Sequence, residues 1–296
     1  MSSISITGDL GSGKSSVAKL LTEKLGYQYI YTGLMQRKIA EERGMNTLEL
    51  NYFSEKNKDI DDYIDNYLME LDKAKENYIL DSRLAWHFVK SSYKIYLTVK
   101  PEIAAQRVFL DENRINEPDA KSIEERISTL QERKMVEVRR FKKLYNIDCL
   151  NFENYNLVID TSYSSVEDIC NLIITLFKEK EKDFPRYWVS PKSLYPTEHV
   201  RKLGSEEAKN VRDSIMKNGF DYNYPIQVVM YKDNLYIWDG HKRTSGALFN
   251  KIPLIPITIL ARDKEEIHTN HTAEMFVESL NKNFIYDWED IHDFYF

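Results

Sequence analysis

The chain has only two cysteines, Cys149 and Cys170, and no Cys-x-x-Cys pair. Two such thiols make neither a zinc site by themselves nor a disulfide framework, which points to a reducing compartment. Glycine and proline are sparse, 10 and 8 residues in 296, so collagenous and low-complexity readings are excluded. No run approaches the ~18 apolar residues of a membrane span. The opening MSSISITGDLG lacks a basic leader and a long apolar core. The expectation is a soluble, cytoplasmic protein with no membrane partner. Positive charge is not in excess either: 41 Lys and Arg stand against 47 Asp and Glu, a net charge of −6. That argues against nucleic acid as a partner of the whole chain, while a local basic face stays open.

What is present is apolar and aromatic bulk. Hydrophobic residues make up 42%, with 20 Tyr and 13 Phe, enough to build cores and to exclude wholesale disorder. The length suggests two domains. From the N-terminus, short apolar strands alternate with helical patterns. Strands are expected at 4–7, 27–31, 78–81, 94–99 and 157–160. Helices are expected at 17–25, 34–43, 59–77, 101–113, 122–144 and 166–182. This alternation means an α/β fold, a parallel sheet covered by helices on both faces. Near residue 180 the pattern changes after the charge run KEKEKD. Beyond it come a helix at 205–218, a hairpin turning at Lys232-Asp233-Asn234, a helix at 244–249 and a strand at 255–260. That is a small α+β domain with an acidic tail, so the expected boundaries are 1–182 and 183–296.

The segment Gly8-Asp9-Leu10-Gly11-Ser12-Gly13-Lys14-Ser15 fits GxxxxGK[ST] between an expected strand and an expected helix. Glycines let successive backbone N–H groups face one phosphate chain, and the helix N-terminus adds a positive end. Gly8, Gly11, Ser12, Gly13, Lys14, Ser15 and Ser16 are therefore the expected binding residues for a nucleoside triphosphate. Lys14 supplies charge to the β/γ oxygens, and the Ser15 hydroxyl goes to Mg²⁺. Asp81 closes an apolar strand, a place for a carboxylate acting on Mg²⁺ through water; a turn cap is the plainer alternative.

An acceptor carrying its own phosphate needs further cations. Arg37 and Arg83 lie at the C-terminal edges of strands, where doubly wound sheets bind ligands. For either, a surface ion pair is the competing reading. Between residues 107 and 140 lie Arg107, Arg114, Arg126, Arg133, Arg139 and Arg140, as an arginine-bearing lid requires. Glu124, Glu125, Glu132 and Glu137 are interleaved, so a charged solvent face is the alternative. Arg107, Arg133 and Arg140 are the expected catalytic arginines beside Lys14, and Arg126 is expected at the surface.

The pieces ISITGDLGSGKSSVAKLL, YTGLMQRKIAEERGM, ILDSRLAWHF, ERKMVEVRRFKKLYNID and LVIDTS resemble, in order and spacing, the cytidylate kinase family in its archaeal, short-lid form. The resemblance implies ATP-dependent phosphorylation of CMP or dCMP. It implies that Lys14 and Ser15 serve ATP·Mg²⁺, that Arg37 and Arg83 hold the acceptor's phosphate or base, and that Asp160 approaches its ribose. It makes Arg107, Arg133 and Arg140 lid arginines. Leu34, Ser82, and Trp86 with His87 depart from the family pattern, and all are expected around the acceptor.

In the second half, Asp239-Gly240-His241-Lys242-Arg243 lies between a strand and a helix and offers an anion site built from Asp239, Gly240, His241 and Arg243; a tight turn is the alternative. Residues 188–260 resemble the ParB/sulfiredoxin-like superfold, through VSPKSLYPTEHV, PIQVVMYKDNLYIWDGHKR and IPLIPITIL. The DGHKR segment resembles that of free serine kinases in this superfold, which implies Glu198 as a base. The motif has no cysteine, which excludes sulfiredoxin activity. His268, His271 and His292 lack the fixed helical spacing of a metal site, so they read as surface residues. Three functions follow: a nucleoside monophosphate kinase; a nucleotide-dependent switch whose C-terminal domain binds nucleotide or DNA; or a chain whose C-terminal domain is a second kinase for a free hydroxyl such as that of serine.

Overall fold

The computed structural model describes residues 3–54, 57–74, 76–110, 120–198, 204–281 and 283–296. Arg114, the end of the helix expected at 101–113 and residue 75 of the helix expected at 59–77 lie outside the described residues. The chain divides into two compact units, residues 1–162 with 169–177, and residues 163–168 with 178–296.

The first unit is built on β1 (Ile4–Gly8), whose residues are all buried. Gly8 has φ 142°, and a Cβ there would lie 2.1 Å from the Leu97 carbonyl oxygen, so only glycine fits. Next come α1 (Lys14–Leu25), β2 (Gln28–Tyr31), α2 (Thr32–Glu42), α3 (Thr47–Ser54) and α4 (Asp59–Lys73). After them follow β3 (Tyr78–Asp81), the short α5 (Ala85–Phe88), β4 (Tyr93–Thr98), α6 (Pro101–Phe109), α7 (Ile123–Tyr145), β5 (Leu157–Asp160) and α8 (Val166–Lys178). The strand order β2-β3-β1-β4-β5 is parallel throughout. The left-handed Gly26 stops α1, its N–H reaching Thr22 O over 2.9 Å. Ser122 caps α7 by accepting from the Glu125 N–H. Ala40, Leu50, Ile60, Ile64 and Leu68 form an apolar cluster under α2, α3 and α4.

The second unit carries β6 (Tyr187–Val189), β7 (Leu194–Tyr195), α9 (Glu206–Asn218), β8 (Ile226–Tyr231), β9 (Asn234–Asp239), α10 (His241–Phe249) and β10 (Ile255–Arg262). Its tail forms the small hairpin β11 (Glu266–His268) and β12 (His271–Thr272), then α11 (Ala273–Glu278) and α12 (Asn283–His292). The strand order is β6-β10-β8-β9-β7. Lys232 and Asp233 both take positive φ, 48° and 64°, as a two-residue turn between β8 and β9 demands. Trp188 and Trp288 are fully buried, and Trp288 belongs to the unit's apolar core. No helix among the described residues is long and apolar enough to cross a membrane.

Candidate active site

The phosphate loop runs from the end of β1 into α1. Ser12 Oγ donates to Asp9 O over 2.8 Å and tightens the turn. Lys14 Nζ donates to the carbonyls of Gly8 and Asp9, at 3.0 and 2.6 Å, so the ammonium lies within the loop. Burial, with the charge of Arg83 added, pulls its pKa well below the ordinary lysine value. Asp9 fastens the loop to its surroundings: Tyr96 donates to Oδ1 over 2.9 Å, and Lys134 of α7 pairs with the same oxygen at 2.7 Å.

Beside the loop, Asp81 stands at the end of β3. Its Oδ2 accepts from Ser15 Oγ over 2.6 Å and from the Tyr29 hydroxyl over 3.1 Å. A cleft of about 300 Å³ opens here. Gly11, Gly13, Lys14, Ser15, Ser16 and Asp81 border it, and so do Arg37, Arg83, Arg133 and Arg140. Gly8 and Ser12, both buried, do not border it.

Glu137 of α7 organises the arginines, a role that sequence reasoning did not assign to it; it entered there only as support for the alternative of a charged solvent face. Its side chain is nearly fully buried, with Arg83 Nε at 3.0 Å and Arg133 Nε at 3.2 Å. Burial pushes its carboxyl upward, but Arg83, Arg133, Arg140 and Lys14 outweigh this and hold it below the ordinary glutamate value. Asn51 of α3 links the next arginine: its Oδ1 accepts from Arg140 over 2.9 Å, while its Nδ2 donates to Glu137 at 3.5 Å. Arg140 also approaches Asp61 of α4 at 3.6 Å. Arg37 lies over the Tyr31 ring at 5.5 Å.

Several expectations need correction. Arg107 does not border the cleft; it donates to Thr161 O at 2.8 Å and to Gly11 O at 3.4 Å, tying the loop after β5 to the phosphate loop. Asp160 is turned into a local cap, accepting from the Ser162 N–H at 3.0 Å and from its hydroxyl at 2.5 Å. Arg126 is buried, not at the surface. Of the departures placed around the acceptor, only Ser82 borders the cleft. Trp86 is a buried anchor whose indole donates to Arg83 O over 3.1 Å, and His87 stacks edge-on against Phe88. Leu34 points outward, 47% exposed.

In the second unit, Gly240 takes φ 113° and opens α10. The Thr197 N–H donates to His241 Nε2 over 3.0 Å, and the ring is buried. Arg243 pairs with Asp239 at 2.8 Å and donates to the carbonyls of Tyr224 and Pro225. The expected free cations are thus partly spent on the motif itself. Glu198 follows Thr197 directly and is half-buried. His268 and His271 stack with ring centroids 4.9 Å apart, and among the described residues no group of three or more His, Cys, Asp or Glu could hold a metal.

The AAA domain family profile matches residues 4–128. The chain is 35% identical over 175 residues to the cytidylate kinase of Methanobrevibacter smithii, covering 59% of this chain and 98% of that protein. It is 34% identical over 179 residues to the cytidylate kinase of Sulfolobus acidocaldarius, covering 60% and 94%. Among solved structures, a shikimate kinase from Bacteroides thetaiotaomicron superposes with a TM-score of 0.42 at 15% identity, covering 60% of this chain and 98% of that one. The match to the two cytidylate kinases takes in nearly all of each. Through its N-terminal unit, a P-loop phosphotransferase, the chain belongs to the cytidylate kinase family.

Proposed function

We propose that the N-terminal unit transfers the γ-phosphoryl group of ATP to the phosphate of CMP or dCMP. One observation carries the reading: Arg37, Arg83, Arg133 and Arg140, from three separate segments, converge with a phosphate loop on one cleft. A triphosphate alone is served by the loop. Guanidiniums from elsewhere suit a second phosphorylated molecule and the charge that builds on the transferring group. Lys14 exchanges its bonds to Gly8 and Asp9 for the β/γ oxygens. The backbone N–H groups at the start of α1 hold the β-phosphate. Ser15 and Asp81 are adjacent oxygen donors of the kind Mg²⁺ takes, directly or through water. When bound, Mg²⁺ offsets charge on the β and γ oxygens. Arg37 holds the acceptor's phosphate, and Arg83, Arg133 and Arg140 face the transferring group. The acceptor phosphate is already ionised near pH 7, so no side-chain base is needed. The test is a phosphotransfer assay with ATP·Mg²⁺. Transfer to CMP or dCMP above AMP and GMP is expected; no transfer to any nucleoside monophosphate overturns the reading.

For the C-terminal unit we propose a ParB/sulfiredoxin-like domain that binds nucleotide. The Thr197–His241 bond supports this, because it draws the segment carrying Glu198 to the turn that opens α10. A second kinase acting on serine, with Glu198 as base, is the competing reading. In the Lys14→Ala chain, calorimetric binding of two equivalents of ATP, ADP or CTP supports a second site, and one equivalent or fewer removes it. Formation of phosphoserine by that variant favours the second kinase.

A further inference from the structure

The cleft wall falls into two sets of residues. One is the phosphate loop with the arginines that Glu137 gathers. The other comes from α2, α3 and α4: Gln36, Leu50, Asn51, Ser54 and Ile60. Leu50 and Ile60 belong to the apolar cluster that also holds Ala40, one helical turn beyond Gln36. This part of the wall is therefore apolar with a few polar groups, the composition that a flat, edge-polar ring requires. The polar groups are not equivalent. Asn51 is committed on both ends of its amide, to Arg140 and to Glu137. Ser54 is 2% exposed, yet its hydroxyl has no hydrogen-bond partner among the described residues. The Gln36 amide, half-buried, likewise has none among them. Both side chains border the cleft with hydrogen-bonding capacity open to a ligand's polar edge.

We infer that Gln36 and Ser54 read the Watson–Crick edge of the acceptor's base. This deepens the acceptor reading above and rests on it. Cytosine accepts at N3 and donates from its N4 amino group, and an amide supplies the complement to both. Uracil presents the reverse pattern. An amide not fixed by a protein partner meets that pattern by turning over, and a hydroxyl donates or accepts as needed. The site is therefore a pyrimidine site with little preference between cytosine and uracil. A glutamate at position 36, which only accepts when ionised, favours the amino group of cytosine.

The experiment measures kcat/KM for CMP and UMP with the full chain, together with the KM for ATP. In the unmodified protein the two values are expected within tenfold. Ser54→Ala and Gln36→Leu are expected to lower both by tenfold or more through the acceptor's KM, leaving the KM for ATP within twofold. Gln36→Glu is expected to raise the CMP:UMP ratio at least tenfold. UMP more than a hundredfold worse than CMP, or Leu and Ala variants within twofold of the parent, overturns the assignment while the kinase reading stands. A parent inert with every nucleoside monophosphate overturns both.

Discussion

Ser15 and Asp81 stand 66 positions apart in the chain, yet the Ser15 hydroxyl donates to Asp81 Oδ2 over 2.6 Å. The parallel pairing of β1 with β3, which sets Ile6 opposite Asp81, brings the carboxylate to the mouth of the phosphate loop. Tyr29 holds the same oxygen from the other side at 3.1 Å. In Asp81→Asn the shape is kept and the charge is lost. Transfer should fall by about a hundredfold or more, with the deficit growing as Mg²⁺ is lowered. Turnover titrated against Mg²⁺ checks this; a parental Mg²⁺ curve would remove Asp81 from the metal's surroundings.

Lys14 is a buried ammonium held by two carbonyls of its own loop. Its charge counts most when the β/γ oxygens gain charge in the transition state. Lys14→Ala should therefore lose about 10²–10³ in kcat, the size typical of a single electrostatic stabiliser. Stability should not fall, since the removed ammonium is itself costly to bury. Single-turnover kinetics and a circular dichroism melt separate the two effects. Near-parental turnover would end the loop's assignment.

Glu137 is the counter-charge of Arg83 and Arg133. Breaking a buried ion pair from one side leaves uncompensated charge, at a cost of about 3 kcal/mol. Glu137→Gln is therefore expected to unfold at lower urea. Inorganic phosphate should recover part of the loss, because an anion in the cleft restores charge balance, and it should stabilise the parent less. Equal stability of variant and parent, with and without phosphate, would show that the carboxylate is dispensable.

Legibility in the sequence followed the range of the interactions involved. The phosphate loop and the strand–helix alternation rest on local patterns, and the parallel sheet follows from them. The short α3 was missed, since TLELNYFS carries no clear period, although it supplies Asn51 and Ser54. The buried face of α7 was written in the spacing Arg126, Leu130, Arg133, Glu137, Arg140. Its charges disguised it, because charged side chains enter an interior when they balance one another, and that balance depends on Arg83 and Asn51 far off in the chain. Trp86 looked like part of an acceptor site for the same reason: its burial depends on the Arg83 carbonyl and on Tyr155, 5.1 Å away ring to ring. His241 could not be judged without Thr197, 44 positions earlier.

His292 makes the second unit sensitive to acid. Its Nε2 is buried with no hydrogen-bond partner among the described residues, and its ring lies 4.7 Å from that of Trp288 and 4.9 Å from that of Phe249. Burial lowers its pKa from 6.5 to about 4. The unfolded chain therefore takes up the proton more readily than the folded one. The stabilising effect is complete above the unfolded value and is lost as pH falls from about 6.5 towards 4. With the ring partly open to solvent, the loss should amount to about 2 kcal/mol, below the ~3.5 kcal/mol that ~1.4 kcal/mol per pH unit gives over the whole shift. The check is urea unfolding of the parent and of His292→Phe, followed by tryptophan fluorescence at several pH values across that window. The variant keeps the apolar packing against Trp288 and Phe249, so its stability should decline less steeply with acid. Parallel slopes for the two proteins would assign the acid loss to other groups.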